Sequence, residues 1–328
     1  MRSFDYLRVD SLAQALAALS VPGSRALAGG TTLVDLMKLG VETPARLVDI
    51  GGLPLATIAR DGEALLIGAL ASNSAVAEHP AVLRHAPAIA QAILSGASGQ
   101  IRNMASLAGN LMQRTRCPYF RAADWPCDKR EPGSGCAAAT GSTAHHAVLG
   151  VGSPCRAVHP SDLAVALLAL DAEVHVAGPA GPRRIAMARF YRLPADTPAI
   201  ETELAPGELI THVAVPVGDL AGRSTYLKLR GRASYEFASA SVAAAIRVEE
   251  GVVGAVAVAL GGLGTVPWRD VAAEADLLGR PLSRAAVDRF CDALLAPAQP
   301  RADNRYKLDL ARGAIRRCLL PDMMEETA

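Results

Sequence analysis

The chain has 328 residues, of which 51% are hydrophobic and 20% are charged, a balance typical of a folded protein with room for two or three packed subdomains. Its 33 basic and 32 acidic residues give a formal net charge of +1, so there is no electrostatic reason to expect nucleic acid or an anionic membrane surface as a partner. No apolar run is long enough for a membrane span, and the polar N-terminus lacks the apolar core of a secretory signal. We therefore expect the chain to fold in the cytoplasm and to reach another compartment only together with a partner that carries a signal.

The first fifty residues predict alternating helices and strands around one glycine-rich turn. Ser11 is a typical N-cap for a helix that Pro22-Gly23 ends. Strands are predicted at residues 25–28 and 47–50, with a helix at residues 33–39 between them.

The middle of the chain predicts a strand from residue 65 and then a long alanine-rich helical region to about residue 97. Residues 98–116 read as irregular, and a long cysteine-bearing loop rich in Pro, Gly and Ser follows. Long irregular loops inside compact domains are uncommon unless they are functional.

After the loop, a helix at residues 163–170 and a strand at 173–177 are predicted, and residues 218–222 are the best candidate for a domain boundary. Beyond it the pattern predicts strands at residues 224–230, 239–248 and 252–260. Helices are expected near Val271, at residues 284–295 and at 303–318. Strands followed by helices indicate an α+β C-terminal domain.

Two glycine-containing loops have features of a phosphate site. Residues 28–33 read Ala-Gly-Gly-Thr-Thr-Leu between a strand and a helix, where paired glycines and a helix N-terminus would bring N–H groups to an anion. Residues 106–111 read Ser-Leu-Ala-Gly-Asn-Leu, and we expect Gly109-Asn110 to adopt positive φ and to direct amides at the same phosphates. Each loop alone is equally compatible with an ordinary turn.

Four of the six cysteines lie within forty residues of one another, separated by nine, eight and eighteen residues: Cys117, Cys127, Cys136 and Cys155. The spacing lacks the short Cys pair of common zinc sites, and it leaves open an iron–sulfur cluster, a structural zinc, disulfides or unrelated thiols. Nearby cations could offset the charge of a thiolate-ligated cluster, and three histidines could substitute as ligands. These cations are Arg114, Arg116, Arg121, Lys129 and Arg130, and the histidines are His145, His146 and His159. Cys291 and Cys318 lie in predicted helices and are expected to pack as small hydrophobic residues.

At these residues the sequence resembles the FAD-binding subunits of the xanthine dehydrogenase group of molybdenum hydroxylases. The two glycine loops are similar to that family's two FAD pyrophosphate loops, although Ala108 stands where a glycine is more usual. His-Pro-Ser-Asp-Leu at residues 159–163 and Tyr-Leu-Lys-Leu-Arg-Gly-Arg at 226–232 resemble two further segments near the flavin. The resemblance implies FAD ligands at Leu27, Ala28, Gly29, Gly30, Thr31, Thr32, Leu33, Ser106, Gly109, Asn110, Ser161, Asp162 and Lys228.

The cysteine loop narrows the resemblance further. Residues 113–121 and 127–136, together with Cys155, are similar to an inserted loop in the flavin subunits of periplasmic aldehyde oxidoreductases, which holds a [4Fe–4S] cluster. The resemblance therefore implies that Cys117, Cys127, Cys136 and Cys155 are the cluster ligands.

The resemblance implies a fold of class α+β, with a two-part FAD domain of the vanillyl-alcohol-oxidase type at residues 1–218, an inserted iron–sulfur loop at about 113–158, and a smaller α+β domain at 222–328.

The resemblance also implies a heterotrimer in which a large molybdenum-cofactor subunit oxidises an aldehyde. Electrons would pass through a small [2Fe–2S] subunit to this chain and then to an external acceptor. No catalytic acid, base or nucleophile is expected here, because the cofactors carry the chemistry. The alternatives are a stand-alone FAD oxidoreductase and a zinc-stabilised assembly module without redox activity.

Overall fold

A three-stranded parallel sheet opens the chain in the computed structural model, which describes residues 1–152 and 154–321. Its central strand is the third in sequence: β1 (Asp5–Arg8), β2 (Ser24–Leu27) and β3 (Arg46–Asp49). Parallel neighbours need crossover connections, and these contain α1 (Leu12–Leu19) and α2 (Leu33–Lys38). The Ser11 side chain accepts a hydrogen bond from the Gln14 N–H, which confirms the predicted cap.

The second sheet has five antiparallel strands, which come from two distant parts of the chain. In spatial order they are β4 (Ile58–Asp61), β5 (Ala64–Gly68), β8 (Leu209–Pro216), β6 (Glu173–Gly178) and β7 (Gly181–Ala186). Most of the helical segments, together with the cysteine loop, lie between β5 and β6 in sequence. The strand predicted at residues 173–177 is confirmed.

The segment between β5 and the cysteine loop contains five short helices: α3 (Asn73–Glu78), α4 (Pro80–His85), α5 (Pro87–Leu94), α6 (Gly99–Met104) and α7 (Leu107–Leu111). The predicted alanine-rich helical region is confirmed, but it is divided into α3, α4 and α5 because Pro80 and Pro87 each start a new helix. The expectation that residues 98–116 are irregular was wrong. Ser98 and Ser106 cap α6 and α7 by accepting backbone hydrogen bonds.

The remaining elements before the C-terminal sheet are short, apart from one buried helix. They are α8 (Pro118–Arg121), a 3₁₀ turn at Ala137–Ala139, α9 (Asp162–Ala169), α10 (Met187–Phe190) and α11 (Asp219–Gly222). The first two lie inside the cysteine loop, and α9 confirms the helix predicted at residues 163–170.

The C-terminal part is an antiparallel sheet covered by helices, as the sequence predicts. Its strands are β9 (Thr225–Leu229), β10 (Ala240–Glu249) in the centre and β11 (Val252–Gly261). The helices are α12 (Val271–Ala275), α13 (Arg284–Leu295) and α14 (Tyr306–Leu319). Residues 322–328 of the expected C-terminal domain lie outside the described residues.

The largest hydrophobic core places α9 between the five-stranded sheet and the C-terminal sheet. Every residue of α9 after Asp162 is buried. Side chains of β5, β6 and β8 share this core with Ala243 of β10 and Ala259 of β11. Burial of each leucine of α9 contributes about 1.5–3 kcal/mol. This packing brings Ser161 and Asp162, at the start of α9, to the junction of the two parts.

Within residues 1–152 and 154–321, no helix combines the length and the apolar character needed to cross a membrane.

Candidate functional site

The first glycine loop connects β2 to α2 and leaves a row of backbone amides unpaired. Gly30 has a φ of 71°, a conformation that favours glycine. Among the described residues, the N–H groups of residues 29–33 donate no hydrogen bond to the protein, and Thr32 makes no side-chain cap to α2. Unpaired amides at a turn entering a helix are suited to bind phosphate oxygens. The predicted first loop therefore has free donors at the expected residues.

The first glycine loop packs against the end of α6, just before the second glycine loop. A Cβ at Gly29 would overlap the carbonyl oxygen of Met104, the last residue of α6, so only glycine allows this close approach. The expected positive φ at Gly109-Asn110 was wrong. Both residues belong to α7, and the Gly109 amide donates to Ser106 Oγ over 3.2 Å. The amides of this loop are therefore paired within the protein and are not aimed at a ligand.

Asn110 links the second loop to the segment before α9. Its Oδ1 accepts hydrogen bonds from the Ser161 hydroxyl and from Gln113 Nε2, each over 2.8 Å. Ser161 Oγ in turn accepts from the Ala164 N–H, which caps α9. Two of the predicted cofactor residues, 51 positions apart in sequence, are thus in direct contact.

Asp162 and Lys228 form a buried ion pair across the junction of the two parts. Lys228 Nζ lies 2.8 Å from Asp162 Oδ2, and the two side chains are 4% and 12% exposed. The Tyr226 hydroxyl donates to Asp162 Oδ1 over 2.5 Å, and burial together with this carboxylate raises the pKa of Tyr226 well above its usual value. Lys228 also donates to the Ser95 carbonyl oxygen at 3.4 Å. The lysine that the resemblance assigns to the flavin therefore has a carboxylate as its charged partner.

The four loop cysteines surround one cavity. It is lined by Cys117, Cys127, Cys136 and Cys155 together with aromatic, histidine and lysine side chains. All six cysteines of the chain carry free thiols. Cys291 is fully buried in the C-terminal core and Cys318 packs against that core, as predicted.

Backbone N–H groups point at three of these sulfurs. The Ala157 N–H lies 3.4 Å from Cys155 Sγ. The Tyr119 and Phe120 amides face Cys117, and the Ala138 and Ala139 amides face Cys136. Donors of this kind stabilise thiolate sulfur. Their arrangement suits a cavity that holds negatively charged thiolates.

Burial disfavours the thiolate form of three of these cysteines. It raises the pKa of Cys117 to about 11 and also raises the pKa values of Cys136 and Cys155. A metal that binds here must therefore displace protons. Among the described residues, no three His, Cys, Asp or Glu side chains are grouped tightly enough to hold one metal ion. A [4Fe–4S] cluster takes one thiolate on each of its irons, so its ligands surround a larger volume than those of a single ion. Four sulfurs around one cavity fit that larger group.

His146 is one of the residues that line the cavity. Its Nε2 lies 3.3 Å from Cys117 Sγ, and burial lowers its pKa to about 4. His145 is exposed instead. His159 is half-buried with its ring against that of Tyr191, 4.2 Å between centroids, and desolvation lowers its pKa to about 3. The sequence identifies these histidines but does not predict which of them reaches a cysteine.

A half-buried network of charges connects the cysteine loop to the rest of the molecule. Arg114 bridges Glu42 and Glu201 at 2.5 and 2.6 Å, and Lys129 binds Glu201 at 2.8 Å. Burial alone would raise the pKa of Glu201, but Lys129 and Arg114 lower it overall. The loop cations were expected to offset the charge of a cluster. Arg114 is instead already paired with two carboxylates, whereas Lys129 also lines the cysteine cavity.

Other cations of the loop have structural contacts. Arg130 donates to the carbonyl oxygens of Tyr119 and Phe120 at 2.9 and 2.8 Å, which closes the loop around α8. Arg121 binds Asp35 of α2 at 2.5 Å. Because these partners are backbone carbonyl groups or residues far away in sequence, the contacts cannot be predicted from residue type and spacing alone.

Two family models match the chain in succession. The FAD-binding domain of molybdopterin dehydrogenase matches residues 2–218, and the C-terminal domain of the carbon monoxide dehydrogenase flavoprotein matches residues 225–321.

Relatives in other organisms resemble the chain over nearly its whole length. It is 50% identical to the aldehyde oxidoreductase FAD-binding subunit PaoB of Escherichia coli (strain K12), covering 95% of this chain and 96% of that protein. It is 27% identical to the carbon monoxide dehydrogenase medium chain of Afipia carboxidovorans, covering 97% and 96%. A chain in the structure of carbon monoxide dehydrogenase from Hydrogenophaga pseudoflava superposes with a TM-score of 0.77 at 25% identity, over 100% of this chain and 99% of that one. The chain therefore belongs to the molybdopterin dehydrogenase family, as an oxidoreductase subunit that carries the family's FAD-binding domain.

Proposed function

We propose that this chain is the electron-transfer subunit of a molybdenum-dependent aldehyde oxidoreductase and that it holds both FAD and a [4Fe–4S] cluster. The observation that carries the cluster is the cavity that the four cysteine thiols surround, with backbone amides directed at three of the sulfurs. The 50% identity to an aldehyde oxidoreductase FAD-binding subunit supports the substrate class.

The residues proposed to hold FAD fall into three groups. The unpaired amides of residues 29–33 and the hydroxyls of Thr31 and Thr32 are suited to bind the pyrophosphate. Ser106, Gly109 and Asn110 belong to the second loop, where Asn110 binds Ser161. Ser161, Asp162 and Lys228 lie at the junction where the C-terminal sheet meets α9. Bound FAD supplies a two-electron carrier, and the cluster supplies a one-electron carrier.

The remaining parts of the proposal concern the complex. Residues 1–218 form the FAD domain and residues 222–328 the C-terminal domain. The partners are a large molybdenum-cofactor subunit and a small [2Fe–2S] subunit, and an external acceptor removes the electrons. The heterotrimer is in keeping with the medium-chain names of several relatives. Export to the periplasm would require a signal carried by a partner.

The experiment that tests this function is anaerobic reduction of the flavin by aldehyde, followed by absorbance. The chain alone should keep oxidised flavin in the presence of aldehyde, because substrate oxidation occurs on the partner. The purified complex should show rapid flavin bleaching. Bleaching by the chain alone would support a stand-alone FAD oxidoreductase and contradict the proposal.

A further inference from the structure

His146 is placed beside the cysteine cavity by contacts from the C-terminal part. The residue is 3% exposed, and its Nε2 lies 3.3 Å from the Sγ of Cys117, 29 residues earlier. Its own N–H donates to the Thr143 carbonyl oxygen at 2.8 Å. Thr143 is in turn fixed by Asp303, whose carboxylate accepts the Thr143 N–H at 2.6 Å. These contacts fix the backbone of His146 beside the sulfur.

The surroundings of the ring decide which nitrogen carries the proton. Nδ1 of His146 is buried and has no hydrogen-bond partner among the described residues. With Cys117 as a thiolate ligand, a proton on Nδ1 would leave a buried N–H unsatisfied and would set the Nε2 lone pair against the negatively charged sulfur, and both arrangements are costly. A proton on Nε2 leaves only an acceptor unpaired and gives the sulfur a donor. The geometry thus favours the tautomer that donates to Cys117.

The other sulfur contacts come from the backbone. Backbone N–H groups are directed at the sulfurs of Cys136 and Cys155, and two further backbone N–H groups face the sulfur of Cys117. Among residues 1–152 and 154–321, His146 is the one side chain that hydrogen-bonds to any of these four sulfurs. It is therefore the contact that a substitution can remove without changing the backbone.

We propose that His146 tunes the [4Fe–4S] cluster by donating its Nε2–H to the Cys117 thiolate, and that this hydrogen bond raises the reduction potential of the cluster. The inference rests on the proposed function, because it requires the cluster to be bound. One-electron reduction adds negative charge that the thiolate sulfurs share, and a donor stabilises the more negative state. The electron comes from the partner [2Fe–2S] subunit or from reduced flavin, and no bond is formed or broken.

The test is an EPR-monitored redox titration of the anaerobically purified complex. His146→Leu removes the donor at similar volume, His146→Gln retains an amide N–H, and His145→Leu changes the exposed neighbouring histidine as a matched control. We expect equal iron content in all four proteins, a lower cluster potential in His146→Leu, recovery towards wild type in His146→Gln, and no shift in His145→Leu. Should His146→Leu fail to fold, His146→Phe, which keeps a ring beside Tyr119, replaces it.

An iron-replete His146→Leu or His146→Phe protein with an unchanged potential would overturn this inference alone. Loss of iron in both the apolar and the Gln variants would also overturn it, because His146 would then be a ligand or a structural residue. Wild-type protein without iron and sulfide would overturn the proposed cluster itself, and the inference with it, before any variant is compared.

Discussion

Gly29 is the residue where the first glycine loop lies against the end of α6. A Cβ there would overlap the Met104 carbonyl oxygen and force the loop away from α6. Overpacking of this kind costs about 1–3 kcal/mol, and we expect Gly29→Ala to weaken FAD binding accordingly. Flavin per chain after purification measures the effect. Gly218→Ala is the matched control because a Cβ at Gly218 meets no atom within 4 Å. Equal flavin content in both variants would contradict the assignment of this loop.

Lys228 is proposed to stabilise negative charge on the reduced flavin, although it is already paired with Asp162. Lys228→Met should lower the flavin reduction potential, because it removes a cation and leaves a carboxylate unpaired. It should also cost stability, about 3–5 kcal/mol for a broken buried ion pair. A spectroelectrochemical titration measures the potential. The double variant Lys228→Met/Asp162→Asn should recover part of the loss. An unchanged potential in Lys228→Met would exclude this role for the lysine.

Lys307 is almost fully buried in α14, and its Nζ donates to the Gly262 carbonyl oxygen at 2.7 Å. Burial lowers its pKa from 10.5 to about 8. Between these two values the unfolded chain holds a proton that the folded chain has lost, so stability rises with pH across this window. Below about pH 8 both states hold the proton, and the contribution of Lys307 no longer changes with pH. The free energy of unfolding in urea should therefore increase with pH for wild type relative to Lys307→Met. If the free energies of unfolding of wild type and Lys307→Met changed with pH in parallel, the lowered pKa of Lys307 would be contradicted.

At the scale of elements, the sequence predicted some parts of the fold better than others. The strands β9–β11 and the helix α13 were predicted closely because apolar residues recur there with one clear period and Gly or Pro mark the ends. Helices α3–α5 were predicted only as a helical region, without their boundaries. Pro80 and Pro87, each at the first position of a helix, are the signals that divide this region. α7 was missed because its glycine and asparagine suggested a turn.

The cysteine loop is an element whose order depends on distant partners. Asp303, just before α14, binds both the N–H and the hydroxyl of Thr143. Asp303→Ala should loosen this side of the loop and speed the release of iron to a chelator. Asp309→Ala, an exposed aspartate on α14, is the matched control. The rate of iron loss under chelator, followed by absorbance, measures the effect. Equal rates in the two variants would show that this anchor does not protect the cluster.

At the scale of the whole molecule, the candidate cluster site lies between α2, near the start of the chain, and the C-terminal part. Phe120 and Cys127 pack against Leu36 of α2, next to the first glycine loop. On the other side, Arg301 donates to the Ala138 carbonyl oxygen at 2.8 Å. The sequence identified all four cysteines by their proximity and by resemblance. It could not predict these contacts, because each joins residues far apart in the chain and depends on the folded arrangement.

The central claim is that one chain carries both a flavin and a four-iron cluster. The most direct measurement is the content of flavin, iron and acid-labile sulfide in anaerobically purified protein. We expect about four irons and four sulfides for each flavin. Cys127→Ser should lose iron, and Cys318→Ser, which changes a cysteine outside the loop, should retain it. Flavin without iron in the wild-type protein, or zinc in place of iron, would contradict the account.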